Sequence, residues 1–200
     1  MQRLLIASHN AGKQREMRAL LAEIAPALSV PAELGLALEV PENGWTYAEN
    51  ALRKALAFGQ ASGLPSLADD SGLEVDALGG EPGVRSARYA PIPRATDADR
   101  RHYLLERLSG KPRPWKAHFH CTLALAMPAG EVYFFEGDCP GEIIPEERGA
   151  GGFGYDPIFW LPEAGKTLAE LSVEEKNRIS HRARAVQAAL PTLRKLLGVG

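Results

Sequence analysis

The stretch SLADDSGLEVDALGGEPGVRSARYA, residues 66–90, carries the reading on which the fold turns. A short apolar run ends in the adjacent carboxylates Asp69 and Asp70, and Ser71-Gly72 predicts a turn, since Asp, Ser and Gly are ordinary turn residues. Leu73 to Leu78 then reads as a second apolar strand, and a Gly/Pro-rich loop with Arg85 and Arg88 follows. Carboxylates at a strand end are hard oxygen donors of the type Mg²⁺ prefers. Arginines a loop away suit bidentate contact with phosphate. A solvated turn accounts for the same residues, so the choice depends on whether other polar segments converge on this one.

On the N-terminal side, Arg3 to Ala7 predicts a buried strand that leaves through Ser8-His9-Asn10. Asn10 is a suitable N-cap for a helix with Met17, Leu20, Leu21 and Ile24 at helical spacing, ended by Pro26. Ser8, Asn10, Gly12 and Lys13 put hydroxyl, amide and ammonium groups at a helix start, where unpaired N–H groups and the dipole favour an anion. This is not a P-loop: Ala7 stands where that motif needs glycine, and Gln14 where it needs Ser or Thr. Residues 28–40 predict a weak strand–turn–strand, and Pro41 to Trp45 a turn in which Glu42 is either a turn carboxylate or a metal ligand. Thr46 and Glu49 form the capping box of a helix that runs to Ser62, with Gly63 as its left-handed C′ residue. Ala51, Leu52, Ala55, Leu56 and Phe58 are its expected packing face, and Asn50 and Lys54, four apart, share another side, which reads as a solvated face unless it serves a site.

Beyond the central stretch, Thr96 caps a helix to Leu108, with Asp97 and Asp99 in its first turn. Trp115 to Met127 alternates as a strand and pairs through Pro128-Ala129-Gly130 with Glu131 to Glu136 in an antiparallel hairpin. His118 and His120 share a face of it, but no third ligand has zinc spacing, so they read as lining a partly solvated face. Glu147 to Pro157 holds four glycines with Phe153, Tyr155 and Asp156, where the backbone can approach a ligand and an aromatic ring can stack on a base. Ser172 and Glu175 make another capping box, and Ser180 precedes a last helix with Val186, Leu190, Leu193 and Leu197 as its stripe and Pro191 as a kink. His181, Arg182 and Arg184 at its start oppose the macrodipole, a broken local rule of the kind found at functional positions.

Two hundred residues suit one domain with a large core, and 45% hydrophobic with 24% charged residues is an ordinary globular balance. A net charge of -2 argues against a general nucleic-acid binder but permits a local anion pocket. Two cysteines, neither in a CxxC pair, exclude a disulfide framework and fit a reducing compartment. The run in MQRLLIASHN is short for a secretory signal and no apolar stretch is long enough for a membrane span, so the expectation is a cytoplasmic protein with no membrane or nucleic-acid partner.

Taken together, S-x-N-x-x-K at Ser8 to Lys13, ENALRKA at Glu49 to Ala55, LADDSGLEVDALGGEPGVRSARYA at Leu67 to Ala90, GGFGYDPIF at Gly151 to Phe159 and EEKNRISHR at Glu174 to Arg182 resemble the inosine/xanthosine triphosphate pyrophosphatases. The motifs stand in that family's order across nearly the whole chain. The resemblance implies an α/β fold, with a long curved mixed sheet flanked by helices and two lobes around a central active-site cleft, residues 1–200 forming one two-lobed domain. It implies Mg²⁺-dependent hydrolysis of ITP, dITP or XTP to monophosphate and pyrophosphate, by a homodimer. By position, Ser8, His9, Asn10, Ala11, Gly12 and Lys13 hold phosphates; Asp70 is base or metal ligand, Glu42 a metal ligand and Ser71 a substrate contact. Phe153, Gly154, Tyr155, Asp156, Lys176, His181 and Arg182 enclose the base, with His181 and Arg182 donating to its 6-oxo group, and Lys13 and Lys54 stabilise the pyrophosphate leaving group. His9 departs from the glycine many relatives carry there, which bears on the conformation of the phosphate turn. A phosphatase for other nucleotides and a non-catalytic nucleotide sensor are the competing readings. Haloacid-type phosphatases are disfavoured because Asp69-Asp70 lacks D-x-D spacing.

Overall fold

The computed structural model describes residues 3–22 and 28–198. Its seven strands, β1 (Leu4–Ile6), β2 (Leu28–Ser29), β3 (Ser66–Val75), β4 (Trp115–Ala126), β5 (Val132–Ile143), β6 (Phe159–Leu161) and β7 (Lys166–Thr167), form one sheet in the order β2-β1-β3-β4-β5-β6-β7. β1 pairs parallel with β2 and β3, whereas β5–β6 and β6–β7 are antiparallel, so the sheet is mixed. Five helices accompany it: α1 (Ala11–Leu21), α2 (Tyr47–Ser62), α3 (Asp97–Leu108), α4 (Val173–Ile179) and α5 (His181–Leu197). The chain divides into two compact units, one of Met1–Asp70, Cys121–Gly137 and His181–Gly200, the other of Ser71–His120 and Asp138–Ser180.

In the first unit successive strand residues feed two cores, because side chains alternate across a pleated sheet. Leu4, Ile6, Leu67, Cys121, Leu123 and Leu125 pack with Met17 and Leu21 of α1 and with Val186, Ala189 and Leu193 of α5. Leu5, Ala7, Ala68, Ala124 and Ala126 pack with Ala51, Ala55 and Phe58 of α2. Both faces of these strands are therefore covered, which is why the second half of β4 is buried without alternation. The second unit has a core of its own, in which Leu73, Val75, Phe119, Ile143 and Phe159 meet Leu104 and Leu108 of α3.

The local signals hold where their partners are three or four residues away. Asn10, Thr46, Thr96 and Ser172 cap α1, α2, α3 and α4, and Gly63 ends α2 at φ 68°. Ile24 and Pro26 lie outside the described residues. α5 continues through Pro191.

Four expectations need correction. Asp69-Asp70-Ser71-Gly72 is not a turn: it runs inside a single ten-residue strand, and the second strand expected over 73–78 is the end of β3 and a 3-10 turn at Asp76–Leu78. Residues 28–40 hold only β2 and a 3-10 turn at Pro31–Leu34; Leu36, Leu38 and Val40 pack on the α2 core as an extended chain, outside any assigned strand. On α2, Leu56 is exposed, and Asn50 and Lys54 are buried in place of being solvated. β5 runs to Ile143 rather than ending near Glu136, passing through Gly137 and Gly141. A Cβ at Gly137 would fall on the backbone of His181 and Ala185, and one at Gly141 on the Phe159 ring, so these glycines mark close packing and not a strand end.

Candidate active site

The pleat of β3 separates two neighbouring carboxylates. Leu67 faces the α1/α5 core and Ala68 the α2 core, so Asp69 is on the first side and Asp70 on the second. Both are buried, at 3% and 5% exposure, yet their surroundings differ.

Asp69 is surrounded by cations. Its Oδ2 accepts from Arg182 Nη2 at 2.8 Å and Nε at 3.2 Å, and Lys13 Nζ lies 3.1 Å away. Burial pushes the carboxyl up, but Lys13, Arg182 and Lys54 more than offset it, leaving it well below the usual carboxylate range. Arg182 itself is 1% exposed, and its Nη1 donates to Glu16 of α1. Arg182 at the start of α5 thus has a specific explanation: it is positioned by acids on β3 and α1. Arg182, expected to read a base, has all three side-chain nitrogens on carboxylates. Asp69 in turn holds Lys13 and Arg182. His181 is buried at the first position of α5.

Asp70 sits among α2 side chains. Asn50 Nδ2 donates to its Oδ2 at 2.9 Å, and Lys54 Nζ is 3.8 Å from its Oδ1. The Asn50 amide also accepts from Gly44 N–H at 2.8 Å, tying the 41–45 segment down beside α2. Lys54 donates to the Asp69 carbonyl at 2.7 Å and pairs with Glu42. Burial lifts the Asp70 carboxyl above its ordinary value, and Lys54, Lys13 and Asn50 pull it down by less. Lys54 is shifted up, since Asp69, Asp70 and Glu42 together outweigh its desolvation. Among Glu16, Glu42, Asp69, Asp70, Lys13, Lys54 and Arg182, four acids face three bases, and of the two adjacent aspartates Asp70 is the one held less firmly in its charged form.

The turn from β1 to α1 lies in the same unit. Asn10 Oδ1 accepts from Lys13 N–H at 3.0 Å, Ser8 Oγ from Asn10 N–H at 3.2 Å, and the Ser8 carbonyl from Gln14 Nε2 at 2.6 Å. The first intrahelical bond is Gln14 N–H to Asn10 O, so the amides of Ala11 and Gly12 precede the ladder at the positive end of α1. His9 resolves its own departure from glycine. Its Nε2 donates to the Leu38 carbonyl at 2.9 Å, and its ring meets Phe58 edge-on at 5.4 Å, so the side chain anchors the turn.

In the second unit the glycine-rich loop is built around Asp156, which is 3% exposed. Its Oδ2 accepts from Phe153 N–H at 2.9 Å and Lys176 Nζ at 2.6 Å, and Lys176 Nζ stands 5.3 Å from the Phe153 ring centroid. Gly152, at φ +70°, has no room for a Cβ because the Asp156 carboxylate occupies that space. Tyr155 belongs to the core: it is 4% exposed and its hydroxyl donates to the Ser86 carbonyl at 2.9 Å. Ser71 follows Asp70 on β3 and is partly exposed, while Arg85 and Arg88 are exposed. His118 Nε2 is 3.4 Å from Glu74, and His120 Nδ1 2.7 Å from Asp138.

Sequence reasoning passed over Glu16, which holds Arg182. Glu16 had a signal, since it stands three residues after Lys13 and on the same side of α1. Asn50 and Lys54 were paired correctly, and the side of α2 they share is buried.

Comparison with known proteins agrees with these motifs. The model of the Ham1 family matches residues 4–192. The dITP/XTP pyrophosphatase of Thermus thermophilus is 52% identical over 192 residues, 94% of this chain and 90% of that protein. That of Geobacillus kaustophilus is 50% identical over 187 residues, 93% of this chain and 91% of that protein. Among solved structures, a HAM1 protein from Coxiella burnetii superposes with a TM-score of 0.86 at 40% identity, and the Staphylococcus aureus Ham1 protein with 0.83 at 38%, each over 100% of both chains.

Proposed function

Because this chain belongs to the Ham1 family, we propose that it hydrolyses deaminated purine nucleoside triphosphates (ITP, dITP and XTP) to the monophosphate and pyrophosphate. The observation that carries the reading is the division of labour on β3, where Asp69 is neutralised by Lys13 and Arg182 and Asp70 is left beside Glu42, Lys54 and Asn50. A buried carboxylate whose charge is incompletely matched is suited to take a proton from water. Asn50 holds one oxygen of Asp70 and Lys54 stands 3.8 Å from the other, which fixes the orientation of the carboxylate.

The donor set also suits Mg²⁺. Among the described residues no group of three or more His, Cys, Asp or Glu is arranged to hold a metal ion. Magnesium at phosphate sites takes one or two carboxylates and completes its shell with water and substrate oxygens, and Glu42 and Asp70 are such a pair on either side of Lys54. When bound there, the ion supplies charge neutralisation to the triphosphate. The chain's own residues do the rest. Lys13 and the first amides of α1 hold phosphate oxygens, and Lys54 stabilises the charge that develops on the leaving pyrophosphate.

The second unit carries the groups for the base. Phe153 offers its ring, and the Lys176 ammonium can only donate, so it suits a 6-oxo acceptor and meets the 6-amino donor of adenine unfavourably. Sites built on such pairing reject the wrong partner by about 10⁴ or more. The same reading makes residues 1–200 one two-lobed domain that works as a homodimer in the cytoplasm, a setting that suits the free thiols Cys121 and Cys139.

The test is a steady-state assay with ITP and Mg²⁺ scored for both phosphate products. Pyrophosphate in a 1:1 ratio with IMP is expected, and Asp70→Asn should lose about 10³-fold or more in kcat while its circular dichroism is unchanged. Release of orthophosphate alone, or near-normal turnover by the variant, would reject the assignment.

A further inference from the structure

The glycine-rich loop has partners that lie outside it, at the start of α3. Gly154 N–H donates to Asp97 Oδ2 at 2.8 Å, and Gly154 C=O accepts from Arg101 Nη1 at 2.9 Å. The same guanidinium reaches Glu147, at the other end of the loop, with Nε at 2.8 Å and Nη2 at 2.9 Å. Burial pushes the Asp97 carboxyl up, but the Gly154 N–H, Arg100 and Arg101 more than offset it. Gly154 itself sits at φ +64° with open space around a would-be Cβ, so the backbone conformation and not crowding calls for glycine.

We propose that Asp97 and Arg101 are positioning residues that hold the backbone N–H and C=O of Gly154 and thereby preset Phe153 and the Asp156–Lys176 pair as a platform for a purine base. The inference rests on the function proposed above and assigns a role to residues outside the site so far described. A loop with four glycines between 147 and 157 would otherwise lose backbone entropy on binding, at each residue it had to order. Fixing both backbone polar groups of one residue, and so the two peptide planes that flank it, with Phe153 N–H already on Asp156, places that cost in folding and removes it from ligand capture. Arg101 suits the task because its planar fork serves a carboxylate and a carbonyl at once, which a lysine ammonium does at best singly.

The experiment is calorimetric titration of the full chain with two probes, IMP, which carries a base, and pyrophosphate, which does not. Arg101→Met and Asp97→Ala should weaken IMP about tenfold, the order expected for one lost hydrogen bond, and leave pyrophosphate within about twofold. The KM for ITP should rise in parallel while kcat at saturation stays within about threefold. Asp97→Asn keeps an acceptor for Gly154 N–H and should rescue IMP binding to near the wild-type value. Should Arg101→Met fail to fold, Arg101→Lys supplies the same comparison with a smaller expected loss. Unchanged IMP affinity in the variants, or equal losses for IMP and pyrophosphate, would overturn the proposal. A wild-type protein that binds no IMP would instead reject the functional reading itself, so the two failures are distinct.

Discussion

Asp69 and Asp70 share a peptide bond and do opposite work. Asp69 anchors: Arg182 and Lys13 converge on one of its oxygens, and Glu16 holds the far side of the guanidinium. Removing one partner of such a buried network leaves an uncompensated charge, which costs far more than the intact pair contributes. Asp69→Asn should therefore destabilise the protein by about 3–5 kcal/mol in urea unfolding. Asp70→Asn should be neutral or stabilising in the same measurement, because the burial that lifts the Asp70 carboxyl is a cost carried by the folded state. Equal destabilisation by the two variants would show that the strand does not divide their roles. That the adjacent acids carry charge which other segments must answer was readable. Their assignment to opposite faces was not, since a carboxylate flanked by Ser and Gly looks the same in a turn and in a strand.

At the scale of elements, the caps were legible because each is settled within four residues. Thr46 accepts from Glu49 N–H at 3.1 Å and Glu49 reaches back to Thr46 N–H, whatever the rest of the chain does. Strand lengths were not legible. β5 continues through Gly137, Asp138, Pro140 and Gly141, all poor strand formers, because α5 and the Phe159 ring press against it at the two glycines. Gly137→Ala should overpack the contact with the first turn of α5 and cost about 1–3 kcal/mol in chemical denaturation. Because that turn carries His181 and Arg182, catalytic efficiency should fall as well. An alanine accepted without loss would mean that the contact relaxes freely.

For the whole molecule, the buried carboxylates give stability a definite pH dependence. A group such as Asp69, with a folded pKa below its unfolded value near 4, contributes stability that is present above about pH 4 and lost as pH falls through the folded value. Asp70 has the opposite sign, its contribution being a penalty above about pH 4 that protonation relieves. The stability difference between wild type and Asp70→Asn should accordingly shrink as pH is lowered toward 4, while both unfold in more acid solution as Asp69 is protonated. Denaturation midpoints followed across pH would show it, and a constant difference would count against the shifted carboxyl.

Residue order alone determined the helix starts and stops, the apolar stripes and the run of chemical motifs, since these depend on neighbours a few positions apart. Tertiary structure decided that Asp-Asp-Ser-Gly lies in a strand, that Asn50 and Lys54 face inward, and that Arg182 is bound to carboxylates. In each case a polar side chain chose its conformation by the charge it could reach across the fold, and that partner stands far away in the chain: Arg182 is 113 residues from Asp69, and Asp70 is 20 from Asn50.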